Sequence, residues 1–472
     1  MAEPRRRGRR PGQGPRPGQR PAARTSRPPT DPARTAALAV LQAVRVDNAY
    51  ANLALPAALR DHGLSGRDAA FTTELVSGTL RMRGTYDAVL GACVDRSLNK
   101  VEAKVLDALR IGAHQLLSMR VPPHAAISTT VDLARARVGA GAAAFTNAVL
   151  RKVSEHDLDT WVERVAPDRD KDPSGHAAVA HSHPRWVVDE LRKAVGPDEL
   201  EALLAADNAA PRVTLVARPG RATPAELPGE PTAYSPYGVV LEGGDPASVP
   251  AVADGRAGVQ DEGSQLVAVA LAAAPLEGPD NTWLDLCAGP GGKASLLAAI
   301  AAGRGAGLVA SERQPHRARL VARALQGSDG VLGVVAADGV RPPYRPGSFD
   351  RVLVDAPCTG LGALRRRPEA RWRRRPDDLL ELVLLQRGLV GAALELVRPG
   401  GVVLYATCSP VLAETAGVVR SVLTGRSDVE LEDAAPLLPQ VPDAAGPLPG
   451  TLQLWPHRHG TDAMFLALLR RR

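Results

Sequence analysis

Four cysteines in 472 residues leave no material for a disulfide scaffold and suit a reducing compartment. No run of about 18 apolar residues occurs, so no transmembrane helix is readable. Lysine is scarce, with six among 58 basic residues, and aromatics make up 3%. The bias toward Arg, Ala, Gly and Pro is that of a GC-rich genome, so no single Arg or Ala carries an argument. What is present is ample for a core: 44% apolar and 23% charged residues exclude a chain that is disordered throughout, and the length predicts about three domains. The net charge of +7 is concentrated. Residues 1–30 hold nine arginines against one acid, Glu3, and Arg365 to Arg375 hold seven more against Glu369. Two basic patches on a mildly acidic body predict a polyanion partner, because clustered Arg neutralises phosphates and releases their counterions.

Pattern divides the chain. Residues 1–31 are Pro/Gly/Arg-rich without apolar periodicity and predict a disordered basic tail. Residues 32–154 carry apolar positions near the 3.6-residue period (Leu38, Leu41, Val44; Val101, Val105, Leu109) with breakers at His62-Gly63 and Val121-Pro122-Pro123, predicting an all-helical domain of five to seven helices. Residues 155–180, charged and broken by Pro and Gly, read as a linker. Residues 181–262 read as a small α/β region that positions the substrate. From 263 to 472 apolar strand-like runs alternate with helices: Thr282–Leu286, Leu308–Ala310, Val331–Ala336, Arg351–Val354 and Val402–Tyr405. Such runs predict a parallel sheet buried on both faces, with the last strands, near Leu452–Leu454 and Phe465–Leu469, closing its edge.

The first of these strands runs into Cys287-Ala288-Gly289-Pro290-Gly291-Gly292-Lys293. Glycines after a buried strand let a ligand approach the backbone at the strand's carboxyl end. The spelling fits neither a P-loop nor a dinucleotide fingerprint: Ala294 stands where each requires another residue. Acidic residues at strand ends narrow the choice. Asp285 ends the first strand. Glu312 ends the second, where a carboxylate can accept both ribose hydroxyls, and Asp338 ends the third, where it can face an adenine amino group. A nucleoside without phosphate but with a positive centre fits that acidic set, which predicts S-adenosylmethionine.

Two of the four cysteines follow the fourth and fifth strands, in Asp355-Ala356-Pro357-Cys358 and Tyr405-Ala406-Thr407-Cys408-Ser409. Adjacent strand ends put both thiols over one cleft. An exocyclic amine attacks a sulfonium methyl directly, but C5 of a pyrimidine does not. A thiolate added to C6 makes C5 enamine-like, and a second group can then assist elimination. Free cysteine is only about 3% thiolate at neutral pH, so the site must stabilise the anion. Asp355, sharing a proton with cytosine N3, would stabilise charge developing on the ring.

With these motifs the sequence resembles the RNA cytosine-C5 methyltransferases, and most closely the bacterial 16S rRNA branch of Sun/Fmu type that carries a NusB-like helical domain. Phe145-Thr146-Asn147-Ala148-Val149-Leu150-Arg151 resembles the NusB-like signature. The resemblance implies an all-α NusB-like domain joined to an α/β, Rossmann-like class I methyltransferase domain. It implies Cys408 as nucleophile, Cys358 as the group assisting release, and Lys293 near the methionine end or Asp355. It also implies that residues 287–293 (Cys287, Ala288, Gly289, Pro290, Gly291, Gly292, Lys293), Glu312, Asp338 and Asp355 line the S-adenosylmethionine site, and that the target is cytosine 967 of 16S rRNA, free or in an assembling small subunit. The rival readings are the same chemistry on tRNA and a non-catalytic RNA-binding assembly or antitermination factor. The Arg365–Arg375 cluster is expected to hold phosphates around a flipped-out base, with Trp372 stacking on a base or packing on the sheet. The whole predicts a cytoplasmic enzyme without metal, membrane attachment or obligate protein partner.

Overall fold

A computed structural model describes residues 31–472. The predicted basic tail therefore lies outside the described residues except for Asp31, whose carboxylate accepts the Arg34 N–H at 2.9 Å and caps the first helix. Seven α-helices follow between Pro32 and Val153. The helix Ala103–Leu117 runs through their middle, buried on nearly every side, with Leu109 and Ile111 in the two apolar clusters of the domain. Two of its buried polar side chains find partners far away in the chain. Gln115 accepts from Arg34 at 2.8 Å, and His114 bonds the Tyr86 hydroxyl at 2.8 Å. Pairing of this kind is what makes polar burial tolerable.

The stretch 155–180, expected to be a linker, instead carries helices Leu158–Val165 and Pro173–Ala180. The acids and prolines that suggested a linker are capping chemistry. Asp157 accepts the Thr160 N–H, Asp172 accepts the Gly175 N–H, and Pro173 opens its helix. Trp161 is buried on the helical domain and donates its indole N–H to Val153 O at 2.9 Å. Two more helices, Arg185–Val195 and Pro197–Asn208, put Val187, Leu191, Leu200 and Leu204 into one core with Leu361, Leu364, Val411 and Trp455.

Among the described residues twelve strands build two sheets. The small one comprises β1 (Thr214–Ala217), β2 (Glu230–Pro231), β3 (Gly238–Val240) and β4 (Ala257–Val259), antiparallel in the order β2-β3-β1-β4. The large one comprises β5 (Thr282–Asp285), β6 (Gly307–Glu312), β7 (Val331–Ala336), β8 (Phe349–Asp355), β9 (Val397–Thr407), β10 (Val429–Glu432), β11 (Leu452–Gln453) and β12 (Phe465–Arg471). Its order is β10-β12-β9-β8-β5-β6-β7, with β11 on β12. Strands β5 to β9 pair in parallel, and β12 runs antiparallel to both neighbours. That is the class I methyltransferase sheet. Of the two strands expected to close its edge, β11 lies there, paired with β12, but β12 itself is interior. The edge is β10, whose alternating Val429-Glu430-Leu431-Glu432 buries only one face.

Connections leave β5 in one direction toward β6 and β7, and the chain then returns to β8 and β9 on its other side. The carboxyl ends of β5 and β8 thus flank the crevice where open α/β sheets take ligands. Among the described residues no helix is long and apolar enough to cross a membrane.

Candidate active site

The turn after β5 is held by backbone and carboxylate together. Ala288 N–H donates to Ser311 O at 2.8 Å. Glu312 accepts the Gly289 N–H at 3.1 Å and the Gln314 N–H at 2.9 Å. Gly291 opens the helix Gly292–Ala302 with φ of 117°, and a Cβ there would lie 2.7 Å from Ala324 Cβ and 3.2 Å from Val321 Cα. Gly291→Ala combines a disfavoured backbone with a collision against the neighbouring helix. We expect it to cost about 1–3 kcal/mol in urea unfolding, with weaker S-adenosylmethionine binding in equilibrium dialysis. Wild-type stability and affinity would show that the turn does not need a glycine.

Asp285 is fully buried. One carboxylate oxygen accepts the Cys287 N–H at 3.2 Å, while Oδ2 has no partner. Burial, reinforced by the charge of Asp355, pushes its pKa up to about 8. A raised folded-state pKa favours the fold below the ordinary carboxylate range, and that contribution is lost as pH rises from about 4 through about 8. Asp285→Asn keeps the neutral shape. Its stability relative to wild type should therefore climb between pH 5 and 8, by up to about 1.4 kcal/mol per pH unit for one proton, then level off. Parallel urea-unfolding profiles for the two proteins across that range would contradict the buried neutral carboxyl.

The other predicted positions divide. Lys293 reaches from the start of its helix to Asp355 Oδ2 at 2.8 Å. Burial works against its ammonium, but Asp355 raises the pKa overall. Cys287 packs on the apolar layer containing Leu284 and Leu286, and burial together with Asp285 drives its thiol pKa far up. Asp338 lies two residues past the end of β7, exposed, accepting the Val340 N–H at 3.0 Å. The sequence reading missed Gln260. Its amide is buried with both polar atoms unpartnered, 3.7 Å from where a Gly292 Cβ would sit. These orphaned polar groups, the side-chain-free turn and the acidic strand ends fit a cationic nucleoside.

The thiols of Cys358 and Cys408 meet at 3.5 Å. Register brings them there: Asp355 on β8 pairs with Ala406 on β9, so both cysteines leave the sheet two or three residues later. A carboxylate that the sequence reading passed over joins the two loops. Glu414, fully buried, accepts from Thr359 N–H at 2.8 Å, Thr359 Oγ1 at 2.5 Å, Ser409 Oγ at 2.6 Å and Gln386 Nε2 at 3.0 Å. The available signal was a lone acid in the otherwise apolar turn Val411-Leu412-Ala413-Glu414.

The contact acts oppositely on the two sulfurs. A hydrogen bond from Cys358 lowers the pKa of Cys408, with Lys293 and Arg367 adding to it against burial and Asp355. The same bond, then burial, with Glu414 and Asp355, raises Cys358. Of the two sulfurs, Cys408 is therefore the one that loses its proton more readily.

The arginine segment departs from expectation. Arg371 is wholly buried, donating to Ser182 O at 3.0 Å, Asn208 Oδ1 at 2.8 Å and Asp207 O at 3.2 Å. Arg365 and Arg366 face the buried carboxylates of Asp261 and Asp462. Trp372 does not pack on the sheet but lines a cleft against the helical domain. Its indole donates to Leu80 O at 3.0 Å, and its ring lies on Gly84 of the helical domain. These side chains join domains, because a guanidinium buried among carbonyl oxygens satisfies several acceptors at once.

Comparison with known proteins places these features in context. The 16S rRNA methyltransferase RsmB/F family model matches residues 271–470, and the NusB family model matches residues 31–155. A Mycobacterium tuberculosis protein named "Putative methyltransferase" is 53% identical over 451 residues, covering 94% of this chain and 98% of that protein. Ribosomal RNA small subunit methyltransferase B of Pseudomonas putida is 33% identical over 419 residues, covering 86% of this chain and 92% of that protein. The crystal structure of PH0851 shares the fold with a TM-score of 0.76 at 23% identity, covering 94% of this chain and 100% of that one.

Proposed function

The chain belongs to the RsmB/F family of S-adenosylmethionine-dependent rRNA methyltransferases, and from that premise we propose that it methylates C5 of a cytosine in 16S rRNA through a covalent bond between Cys408 and C6. The observation that carries this reading is the contact of two thiols at 3.5 Å over the ends of β8 and β9, beside the Lys293–Asp355 pair. A base-amine methyltransferase has no use for a second sulfur poised on the first. By the family resemblance the target is cytosine 967, presented by free 16S rRNA or by an assembling small subunit.

S-adenosylmethionine supplies an electrophilic methyl on a positively charged sulfur. Glu312 would accept the ribose hydroxyls in place of the Gly289 N–H it now holds, and Asp338 would accept from the adenine amino group. Backbone of residues 287–292 and the free oxygen of Asp285 would line the methionine portion. Cys408 adds to C6 as a thiolate, which carries electron density to C5. Asp355, one oxygen held by Lys293, bonds cytosine N3 with the other and shares the proton that neutralises the ring. Cys358 then takes part in elimination of the C5 proton and the Cys408 sulfur. Glu414 holds both cysteine loops at the required separation.

The test is to incubate the full chain with methyl-tritiated S-adenosylmethionine and unmodified 16S rRNA, then digest to nucleosides. Label in 5-methylcytidine supports the proposal. Label in another methylated nucleoside, or in 5-methylcytidine from tRNA alone, overturns it.

A further inference from the structure

Seven arginines lie between residues 365 and 375, and three of them are consumed internally: Arg365, Arg366 and Arg371. Arg367, Arg373, Arg374 and Arg375 pair with no carboxylate among the described residues. Arg373 donates to Ala49 O, and Arg374 donates to Cys358 O at 3.2 Å, one link from the catalytic loop. Arg375 is exposed.

Facing them, from the connection between the first two helices of the N-terminal domain, is Tyr50. It is 44% exposed, the one aromatic among the exposed large hydrophobic side chains of the described residues. The guanidinium of Arg373 lies 4.7 Å from its ring centroid and that of Arg367 lies 5.4 Å away. Its two neighbours are tied down, since Ala49 O accepts from Arg373 and Ala51 N–H donates to Glu369 at 3.3 Å. Beside the ring a cleft of about 310 Å³ opens between the domains, where five arginines, Arg83, Arg373 and Arg375 among them, outnumber the two carboxylates of Asp107 and Glu369. The Nε of Arg373 is buried there without a hydrogen-bond partner, and that of Arg83 lies 3.7 Å from Asp87.

An exposed ring between two guanidinium groups, beside a cleft with an excess of arginine over carboxylate, forms a chemical description of a nucleotide: a base to stack and phosphates to neutralise. We propose that Tyr50, Arg367, Arg373 and Arg375 form an RNA subsite shared by the two domains, in which a base flanking the target cytosine stacks on Tyr50 while its phosphates bind Arg373 and Arg375. The subsite rests on the reading that the chain acts on RNA. It gives the helical domain a direct part in substrate positioning, because Tyr50 reaches the catalytic face only when both domains are docked. The link from Arg374 to Cys358 O sets the subsite beside the loop that receives the target base.

The experiment uses the full chain, an unmodified 16S rRNA fragment and four variants. Tyr50→Ala should raise the dissociation constant for RNA and the KM for RNA about tenfold, and Tyr50→Phe should restore both, since stacking needs the ring and not the hydroxyl. Arg375→Ala, at an exposed side chain without a partner, should reduce the slope of log K against log salt by about 0.7–0.9. Arg373→Ala should combine weaker binding with some loss of domain docking. Affinity for S-adenosylmethionine should not change in any of them. Fragments carrying 5-iodouridine at positions flanking the target should photo-crosslink to the peptide containing Tyr50.

Wild-type RNA affinity in both Tyr50→Ala and Arg375→Ala, with methylation intact, overturns the subsite and leaves the proposed function standing. The reverse pattern, altered RNA binding in a chain that transfers no methyl group, overturns the function and leaves the subsite. A fall in melting temperature of Tyr50→Ala without change in RNA binding reduces the ring to interdomain packing and overturns the proposal.

Discussion

Cys408→Ala should bind RNA and S-adenosylmethionine with wild-type affinity and transfer methyl groups at least about 10⁴-fold more slowly, the order of loss seen when an enzyme's covalent nucleophile is removed. The size follows from the chemistry. Ring carbon C5 has no lone pair, and without sulfur at C6 the carbanion-like character that attacks the methyl is absent. Cys358 lies only 3.5 Å from the lost sulfur and is the natural candidate for rescue. Rescue is not expected: the bond to Cys408, the largest cause of the raised Cys358 pKa, is gone, but burial, Glu414 and Asp355 still raise it. Single-turnover transfer to unmodified 16S rRNA measures the loss without interference from product release. A Cys408→Ala protein that keeps a tenth of wild-type rate, beside an inactive Cys358→Ala, would exchange the two roles.

The parts of this site that sequence made legible are those fixed by local pattern. The glycine turn follows a buried strand, so its place at a strand end needed only periodicity and the spelling of residues 285–293. The two cysteines follow apolar runs, and parallel pairing in register supplied the rest. What was not legible depends on partners far away in the chain. Nothing near Arg371 says that its guanidinium meets Ser182 and Asn208, and nothing near Trp372 says that it lies on Gly84. A cluster of seven arginines reads as one electrostatic patch, yet tertiary packing splits it into buried ties and free charges. The helices of residues 158–180 failed for a different reason: short helices begin with Asp and Pro, the same residues that punctuate loops. Glu414 was overlooked because a single acid carries no spacing, although its four hydrogen bonds hold the cysteine loops in place.

Cys358→Ala should turn the enzyme into a trap. After the methyl has reached C5, the C5 proton must leave to a base and the C6–S electron pair must return to Cys408. When Cys408 adds to C6, the Cys358 proton passes to solvent, the one proton the overall reaction releases, and the thiolate left behind is a strong base, since its surroundings raise its pKa. On accepting the C5 proton it becomes the thiol that hydrogen-bonds the departing Cys408 sulfur. Remove that sulfur and addition and methyl transfer proceed, but release stalls. The expected result is a protein–RNA species that survives denaturing electrophoresis, carries label from S-adenosylmethionine, and approaches one RNA per protein while steady-state turnover falls about a hundredfold, within the usual range for one general base. The substitution spares the scaffold, because Glu414 holds the loop through Thr359 and not through the cysteine. The double variant Cys358→Ala/Cys408→Ala should form no such species, which identifies the sulfur that carries the bond. Normal turnover by Cys358→Ala, with no slow-migrating band, would leave the 3.5 Å contact as packing and assign elimination to a group other than Cys358.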